Sequence, residues 1–212
     1  MKNKIQDYDV IIFDFDGVIA KSNKFKTNVF LKCVNDRRKS IINKFSIYLK
    51  KNLNKTRKEK FVYFLKNIEM DYSLKKYNKL MKNFKYIMSK DYKKCKLIKG
   101  VKVFIKKNYT KRKLVIISSG SKEEIIKYLK YKKINQYFNI IYGNNNSKEN
   151  NFKKIIKKFK NHYIISFGDT INDYRISKKF KIDFIHIKED SNLKNFKLVK
   201  LKSIQNFSKF NI

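Results

Sequence analysis

Two aspartates separated by one residue stand near the start of the chain, in the segment Asp-Phe-Asp-Gly-Val at residues 14–18. The segment follows residues 8–13, a β-branched and aromatic run typical of a buried strand. Side chains two apart on an extended chain point to the same side, so Asp14 and Asp16 project together. Two clustered carboxylates require a cation or a shared proton. An ordinary strand-ending turn has the same residue types, so the pair alone leaves both interpretations open.

The elements that must position this pair can be read from the hydrophobic pattern. Short apolar runs resembling the first strand recur at residues 114–117, 140–142, 163–167 and 184–187. Helical stretches lie between them, at residues 101–108, 122–131, 151–159 and 172–179. This alternation predicts an α/β sandwich of three layers, with a parallel sheet covered on both faces. Ligand sites in such sheets lie at the carboxyl ends of the strands, where Asp14 and Asp16 stand.

Residues 21–98 interrupt the alternation of strands and helices. Their apolar residues recur at helical spacing in four stretches, which predicts four amphipathic helices packed as a small bundle. We therefore predict a core domain made of residues 1–20 and 99–212, with a helical domain of residues 21–98 inserted after the first strand.

The chain resembles the phosphatases of the haloacid dehalogenase (HAD) superfamily, because its polar segments follow the order of that superfamily's four motifs. The Asp14 segment resembles the first motif, and residues 115–120 resemble the second, a strand that ends in Ser or Thr. There a hydroxyl and neighbouring backbone N–H groups hold phosphoryl oxygens. Ser118 fits the hydroxyl position, with Ser119 one residue away as the alternative and Gly120 following. The resemblance implies a Rossmann-like core with a helical cap.

The third and fourth motifs are matched by residues 147–149 and 167–173. Lys148, ahead of the predicted helix at 151–159, resembles the third-motif lysine that holds the nucleophile and the substrate phosphate together. Almost one residue in four is Lys, so only the position of Lys148 after the third strand distinguishes it. Asp169 and Asp173 resemble the paired acids of the fourth motif. Carboxylate oxygens are the ligands that Mg²⁺ prefers.

The resemblance implies a mechanism with Mg²⁺ as cofactor. Asp14 acts as the nucleophile and forms an aspartyl-phosphate, while Asp16 acts as general acid and then general base. The implied metal ligands are the Asp14 carboxylate, the Asp16 backbone carbonyl and Asp169. Asp173 binds the metal through water or orients its neighbours. Ser118 and Lys148 contribute positioning and electrostatic stabilisation.

The helical insert resembles the superfamily's cap, which closes over small-molecule substrates. Residues 56–61, Thr-Arg-Lys-Glu-Lys-Phe, resemble a Ser-Arg-x-x-Lys-Phe segment in the caps of phosphoglycolate-phosphatase-like members. By that resemblance Arg57 and Lys60 bind the substrate; two solvated charges on a helix are the alternative. The implied substrate is a small phosphate monoester such as a sugar phosphate or a phosphoglycolate-like compound.

The formal net charge of +37 would ordinarily indicate a nucleic acid or an anionic membrane as partner. Arg, however, supplies only five of the 54 basic residues, Ala occurs once and Pro never, while Lys, Asn and Ile are abundant. This is the residue set of A/T-rich codons, and the lysines are spread along the whole chain. We therefore predict that nucleic acid is not the partner.

The remaining composition predicts a cytoplasmic protein with a well-formed core. Hydrophobic residues make up 42% of the 212 residues, which argues against general disorder. No apolar run approaches the roughly 18 residues that span a bilayer, and no signal-peptide pattern precedes the first strand. Cys33 and Cys95 lack metal-ligand or redox spacing and are expected to be reduced. We expect a monomer or a homodimer.

Two other functions fit parts of the sequence. The first is a sugar phosphomutase of the same superfamily, which returns the phosphoryl group to the sugar. The second is a nucleic-acid-associated protein, either an end phosphatase or a basic binding module, in which aromatic residues between lysines would stack on bases. Dehalogenases of the superfamily lack the second Asp of the first motif, since their reaction has no leaving alkoxide that needs a proton. By this resemblance, the presence of Asp16 argues against dehalogenation. His162 and His186 are placed outside the site.

Overall fold

The computed structural model describes residues 5–52, 55–191 and 201–210. The chain divides into two compact units. The first, called the α/β unit, comprises Met1–Asn23 and Cys95–Ile212, and the second, called the helical unit, comprises Lys24–Lys94. Residues 192–200, which belong to the predicted core domain, lie outside the described residues.

The α/β unit contains one parallel sheet in the order β3-β2-β1-β4-β5-β6. Its strands are β1 (Val10–Phe13), β2 (Lys113–Ile117), β3 (Ile140–Tyr142), β4 (Ile164–Gly168), β5 (Asp183–Ile187) and β6 (Ser203–Ile204). The predicted fold class, a Rossmann-like α/β sandwich with a parallel sheet and a helical insert, is confirmed. The sequence pattern missed β6, because a two-residue strand is too short to show a period.

The register of the central strands brings three strand ends to one edge of the sheet. Phe13, the last residue of β1, pairs with Ile116 of β2 and with Phe167 of β4. The residues that follow these strands therefore meet at the carboxyl edge, although between 51 and 155 positions separate them along the chain.

Four helices of the α/β unit connect the strands: α5 (Val101–Asn108), α6 (Lys122–Tyr131), α7 (Lys148–Lys158) and α8 (Ile171–Lys179). Helix α7 begins three residues before the predicted start at residue 151. The reason is Ser147, whose side chain accepts a hydrogen bond from the Asn150 backbone N–H and caps the helix. Lys148 is consequently the first residue of the helix and does not lie ahead of it.

Buried side chains cover both faces of the sheet. On one face the Phe13 ring lies against the rings of Phe104, Phe167 and Phe207, with centroids 6.1, 5.6 and 6.3 Å away. On the other face Val10 and Ile12 belong to a cluster with α7 and α8 residues. Burying one such side chain stabilises the fold by about 1.5–3 kcal/mol, so β1 is firmly held directly before Asp14.

Within its described residues the helical unit contains four α-helices: α1 (Asn23–Lys32), α2 (Lys39–Lys51), α3 (Arg57–Tyr63) and α4 (Leu74–Asp91). Helix α1 starts at Asn23, the last residue of the first segment of the α/β unit, and a π-helical turn, Phe64–Ile68, follows α3. Five buried rings fill the centre of the unit: Phe30, Phe45, Phe61, Phe64 and Phe84. Aromatic residues at helical spacing thus provide its core. Among the described residues, no helix combines the length and the apolarity of a bilayer span.

Candidate active site

Asp14 lies directly after β1, with its carboxylate held from two sides. The backbone N–H of Phe15 donates to Asp14 Oδ1 over 2.7 Å, and Lys148 Nζ lies 3.0 Å from the same oxygen. The backbone N–H of Asp14 donates to the Phe167 carbonyl of the neighbouring strand. The main chain and Oδ1 are therefore fixed, and within the described part of the chain Oδ2 accepts no hydrogen bond.

Lys148 joins the first and fourth motifs through a buried ammonium group. Its Nζ lies 3.0 Å from Asp14 Oδ1 and 2.5 Å from Asp173 Oδ1, and the side chain is only 8% exposed. A buried charge is tolerated when it is paired and hydrogen-bonded. Burial lowers the pKa of Lys148, but the two carboxylates outweigh burial and raise the pKa above its usual range. Lys148 therefore keeps its charge.

The fourth-motif acids lie at the end of β4 and in the first turn of α8. Asp169 and Asp173 are both buried, at 2% and 3% exposure. Asp173 Oδ2 accepts hydrogen bonds from the Thr170 hydroxyl and backbone N–H, at 2.6 and 3.1 Å, in a capping box that starts α8. Because Lys148 occupies Oδ1, both Asp173 oxygens have protein donors, a geometry that suits orientation of Lys148.

One carboxylate oxygen each from Asp14, Asp169 and Asp173 lies within 4.8 Å of the others. Burial is the largest cause that raises the pKa of Asp14, to about 7, and the charges of Asp173 and Asp16 add to it against the opposing Lys148. Burial and the neighbouring Asp14 raise the pKa of Asp169 well above its usual value. Three acids with a single ammonium group are undercompensated, and oxygen ligands suit a hard dication, so these residues fit a Mg²⁺ ion.

Gly17 allows the first and fourth motifs to approach each other. Its φ of +77° lies in the left-handed region that favours glycine. A Cβ atom there would lie 2.2 Å from Asp169 Oδ2 and 2.6 Å from Asn23 Nδ2, closer than such atoms can approach. Glycine is thus required at position 17 by sterics as well as by φ.

Asp16 lies in the turn that follows Asp14 and is half-buried. Its Oδ1 accepts a 2.6 Å hydrogen bond from the hydroxyl of the fully buried Ser22. The turn is closed by hydrogen bonds from the Gly17 N–H to the Ala20 carbonyl and from the Ala20 N–H to the Phe15 carbonyl. The Asp16 carboxyl consequently has a defined orientation, as a general acid requires.

Ser118, Ser119 and Gly120 lie in the loop after β2. Ser118 is 2% exposed, and its hydroxyl oxygen accepts a 3.0 Å hydrogen bond from the Gly120 N–H, whereas Ser119 is exposed. The loop after β3 supports this arrangement, because the Asn144 N–H donates to the Gly120 carbonyl. Ser118 is therefore ordered within the loop and can still donate its hydroxyl hydrogen.

Arg57 and Lys60 lie on α3 in the helical unit. The Arg57 guanidinium carbon lies 4.2 Å from the centroid of the Phe84 ring, and Lys60 Nζ lies 5.3 Å from that of Phe30. Thr56 and Glu59 form a capping box that starts α3 immediately before these residues. Both cations thus rest on aromatic faces.

Sequence reasoning missed four residues beside the acids: Ser22, Asn23, Asp190 and Ser191. Asn23 Nδ2 donates to Asp169 Oδ2 over 2.6 Å, and the Ser191 hydroxyl donates to the Asp169 carbonyl over 2.6 Å. His186 of β5 also approaches this group, with Nε2 3.0 Å from Ser191 Oγ. Ser22, Asn23, Asp190 and Ser191 do not directly follow a strand and belong to no periodic pattern, so no sequence signal pointed to these four residues.

Comparison with known proteins identifies the family of this chain. Residues 11–187 match the family described as haloacid dehalogenase-like hydrolase. CbbY from Rhodobacter sphaeroides, solved in complex with phosphate, is 13% identical, with 95% of this chain and 96% of that chain covered and a TM-score of 0.73. The magnesium-bound hydrolase YfnB from Bacillus subtilis is 16% identical, with 94% and 95% covered and a TM-score of 0.69.

A third solved structure, described as a predicted phosphoglycolate phosphatase from Haemophilus somnus, is 14% identical over 87% of each chain, with a TM-score of 0.71. No curated protein matches the sequence. At these identities the solved structures show the fold alone. The family match covers most of the chain, so the family and hydrolase predictions are confirmed.

Proposed function

This chain belongs to the haloacid dehalogenase-like hydrolases, and we propose that it is a magnesium-dependent phosphatase acting through a phosphorylated Asp14. One observation carries the proposal: Lys148 Nζ bridges Asp14 and Asp173 inside a buried group of carboxylates at the sheet edge. The buried lysine fixes one oxygen of the strand-end aspartate. This arrangement suits in-line attack by the aspartate on an anionic phosphoryl group, because the ammonium group offsets negative charge there.

Mg²⁺ would be held by the carboxylates of Asp14 and Asp169 and by the Asp16 backbone carbonyl, with Asp173 oriented beside them. When bound, the ion supplies positive charge that offsets the phosphoryl oxygens. The three clustered oxygens and the raised pKa values of Asp14 and Asp169 support this assignment, since both favour a cation. The magnesium reported for YfnB supports it by analogy.

In the first half of the reaction, a carboxylate oxygen of Asp14 attacks phosphorus and the bond from phosphorus to the ester oxygen breaks. Asp16 donates its proton to that oxygen, which leaves as an alcohol. The hydrogen bond from Ser22 orients the Asp16 carboxyl for this transfer. Ser118 donates to a phosphoryl oxygen, and Lys148 neutralises charge next to the attacking carboxylate.

In the second half, the now ionised Asp16 takes a proton from water as the water oxygen attacks phosphorus. The bond between phosphorus and Asp14 breaks, inorganic phosphate leaves, and both aspartates return to their starting protonation states. The same residue thus serves as acid and then as base, and the two halves balance in protons.

The proposed substrate is a small phosphate monoester, a sugar phosphate or a phosphoglycolate-like compound. The helical unit, proposed here as a cap, supports a small substrate. Arg57 and Lys60 offer it two cations that could meet an anionic or hydroxylated group. Similar structures include a predicted phosphoglycolate phosphatase and CbbY, which was also solved with xylulose 1,5-bisphosphate.

A hydrolysis screen tests the proposed function. Sugar phosphates, phosphoglycolate and nucleotides are incubated with wild-type protein and with Asp14→Asn, each with Mg²⁺ and with EDTA. We expect Mg²⁺-dependent release of phosphate by wild type and loss of more than about 1,000-fold in Asp14→Asn, which lacks the nucleophile. Wild-type turnover in the Asn variant would refute the covalent mechanism, and sugar-phosphate isomer formed without free phosphate would indicate a mutase instead.

A further inference from the structure

Asn23 makes a contact with the candidate metal site that the mechanism above does not use. Its Nδ2 donates to Asp169 Oδ2 over 2.6 Å and to the backbone carbonyl of Asp190 over 2.8 Å. Both partners are acceptors, so the orientation of the side-chain amide follows from its hydrogen bonds. Asn23 therefore ties Asp169 to the loop that follows β5.

That loop holds Asp169 at a second point. The backbone N–H of Asn23 donates to Asp190 Oδ2 over 2.9 Å, and the hydroxyl of Ser191 donates to the Asp169 carbonyl over 2.6 Å. The main chain of Asp169 is thus attached directly to Ser191, and its side chain is attached to Asp190 through Asn23. Glu189 in the same loop pairs with Lys21 at 3.2 Å, close to Asn23 in sequence.

The position of Asn23 depends on Gly17. The side-chain amide and Asp169 Oδ2 share the space beside this glycine, where a Cβ atom would lie 2.6 and 2.2 Å from them. A residue as short as Asn, placed at the start of α1, can reach Asp169 through this space. Residues 17–23, Asp169 and Asp190 of the α/β unit thus build the contact together.

The contact also matters electrostatically. Asp169 is buried beside the carboxylates of Asp14 and Asp173, and the Asn23 amide donates directly to its Oδ2. A neutral donor to Oδ2 stabilises the ionised carboxylate without adding a charge that would repel a cation. Among the described residues no hydrogen bond reaches Asp169 Oδ1, so Asn23 distinguishes the two oxygens.

We propose that Asn23 is a positioning residue, which holds Asp169 so that Oδ1 faces the divalent cation and thereby tightens metal binding. The inference rests on the proposed magnesium site. In metalloproteins the hydrogen-bond partners of metal-ligating side chains fix ligand orientation, and their loss typically weakens metal binding by about 10- to 100-fold. Asn23 gives this chain such a partner through a contact that spans 146 positions of sequence.

Direct metal binding tests the inference without enzyme turnover. Mn²⁺ is titrated into metal-free protein, the free ion is counted by its EPR signal, and Mg²⁺ affinity follows from competition. The variants are Asn23→Ala and Asn23→Leu, which remove the donor with and without loss of volume. Asn28→Ala, an exposed asparagine on the same helix, is the matched control. Thermal unfolding in EDTA identifies a temperature at which every variant is folded.

We expect the dissociation constants of Mn²⁺ and Mg²⁺ to rise about tenfold in both Asn23 variants and to stay unchanged in Asn28→Ala. Unchanged metal affinity in either folded Asn23 variant would overturn the inference, even if its melting temperature fell, because that pattern describes a structural role alone. Failure of the wild type itself to bind either ion would instead refute the proposed metal site, so the two failures are distinguishable.

Discussion

Asp14, Asp169 and Asp173 share a buried space with one ammonium group, that of Lys148. Each carboxylate loses hydration on burial and repels the others, so the pKa values of Asp14 and Asp169 are raised. In the absence of a cation, such a cluster destabilises the fold. We infer that the residues of the site are arranged to bind an ion, and that this arrangement lowers the stability of the metal-free protein.

The stability of the metal-free protein should depend on pH through Asp14. Its pKa is raised from 3.8 to about 7 in the folded protein, so the folded state binds more protons than the unfolded state between these values. The free energy of unfolding therefore falls as pH rises across this range. The cost of holding Asp14 ionised in the folded protein is complete above pH 7. We predict that Asp14→Asn unfolds at a higher temperature than wild type at pH 8 in EDTA.

The difference between wild type and Asp14→Asn should shrink as the pH falls from 7 towards 4, because Asp14 of the folded protein becomes protonated and loses its unfavourable buried charge. Each kcal/mol corresponds to about 2–4 °C in melting temperature for a chain of this size. Scanning calorimetry at pH 5, 6, 7 and 8 measures the effect, and Asp7→Asn serves as a control distant from the cluster. An Asn variant that melted below wild type at pH 8 would contradict the interpretation of the raised pKa.

At the scale of elements, the acids and Lys148 are brought together by two strand ends, those of β1 and β4, and by two helix starts. Ser147 and Thr170 cap α7 and α8, which places Lys148 and Asp173 in the first turns of these helices. The positive end of a helix dipole favours Asp173 and disfavours Lys148, typically by 0.3 to about 1 kcal/mol each. The two carboxylates beside Lys148 outweigh the latter effect, since they hold its pKa above the usual range.

Arg57 lies on helix α3 of the helical unit. Its substitution tests whether that unit recognises the leaving group of the substrate. If Arg57 binds substrate, Arg57→Ala should lower kcat/KM for the best substrate of the screen by roughly 10- to 100-fold, or about 1.5–3 kcal/mol, the value of one charge-assisted contact. Hydrolysis of p-nitrophenyl phosphate should change far less, because the residues around Asp14 handle the phosphoryl group that both substrates share.

Lys58→Ala is the matched control for Arg57→Ala, because Lys58 is an exposed cation on the same helix. Arg57 also contacts the Phe84 ring, so melting temperatures are compared to detect a loss of packing. Equal losses on both substrates would assign Arg57 to the folding or closure of the helical unit. Unchanged kinetics on both would leave it a surface charge and refute its proposed role in binding.

For the whole molecule, the net charge of +37 invites the hypothesis of a polyanion partner. We predict instead that duplex DNA binds with a dissociation constant above about 1 μM at physiological salt and without sequence preference. Fluorescence anisotropy with two unrelated duplexes, at 50 and 200 mM salt, measures both affinity and its salt dependence. Nanomolar binding to one defined nucleic acid that persists at 200 mM salt would favour the nucleic-acid-associated alternative.

Much of the molecule could be predicted from local pattern. The helices at residues 101–108 and 122–131 match α5 and α6 at both ends, and Ile140–Tyr142 is β3 as expected. The four amphipathic stretches of the insert became the four helices of the helical unit. Hydrophobic periods of 2 and 3.6 report which face of an element is buried, and that information is local. The family could be predicted from the order of the four motifs, because motifs that follow predicted strands can be recognised without knowing how the side chains pack.

Only the tertiary structure decided which side chains meet at the site. The approach of Lys148 to Asp14 and Asp173, the enclosure of Gly17, and the reach of Asn23 to Asp169 join segments far apart along the chain. Such contacts depend on the sheet register and on loop paths, which leave no period in the sequence. Lysines are so abundant in this chain that composition could not single out Lys148. Its burial between two carboxylates distinguishes it, and burial is a property of the fold.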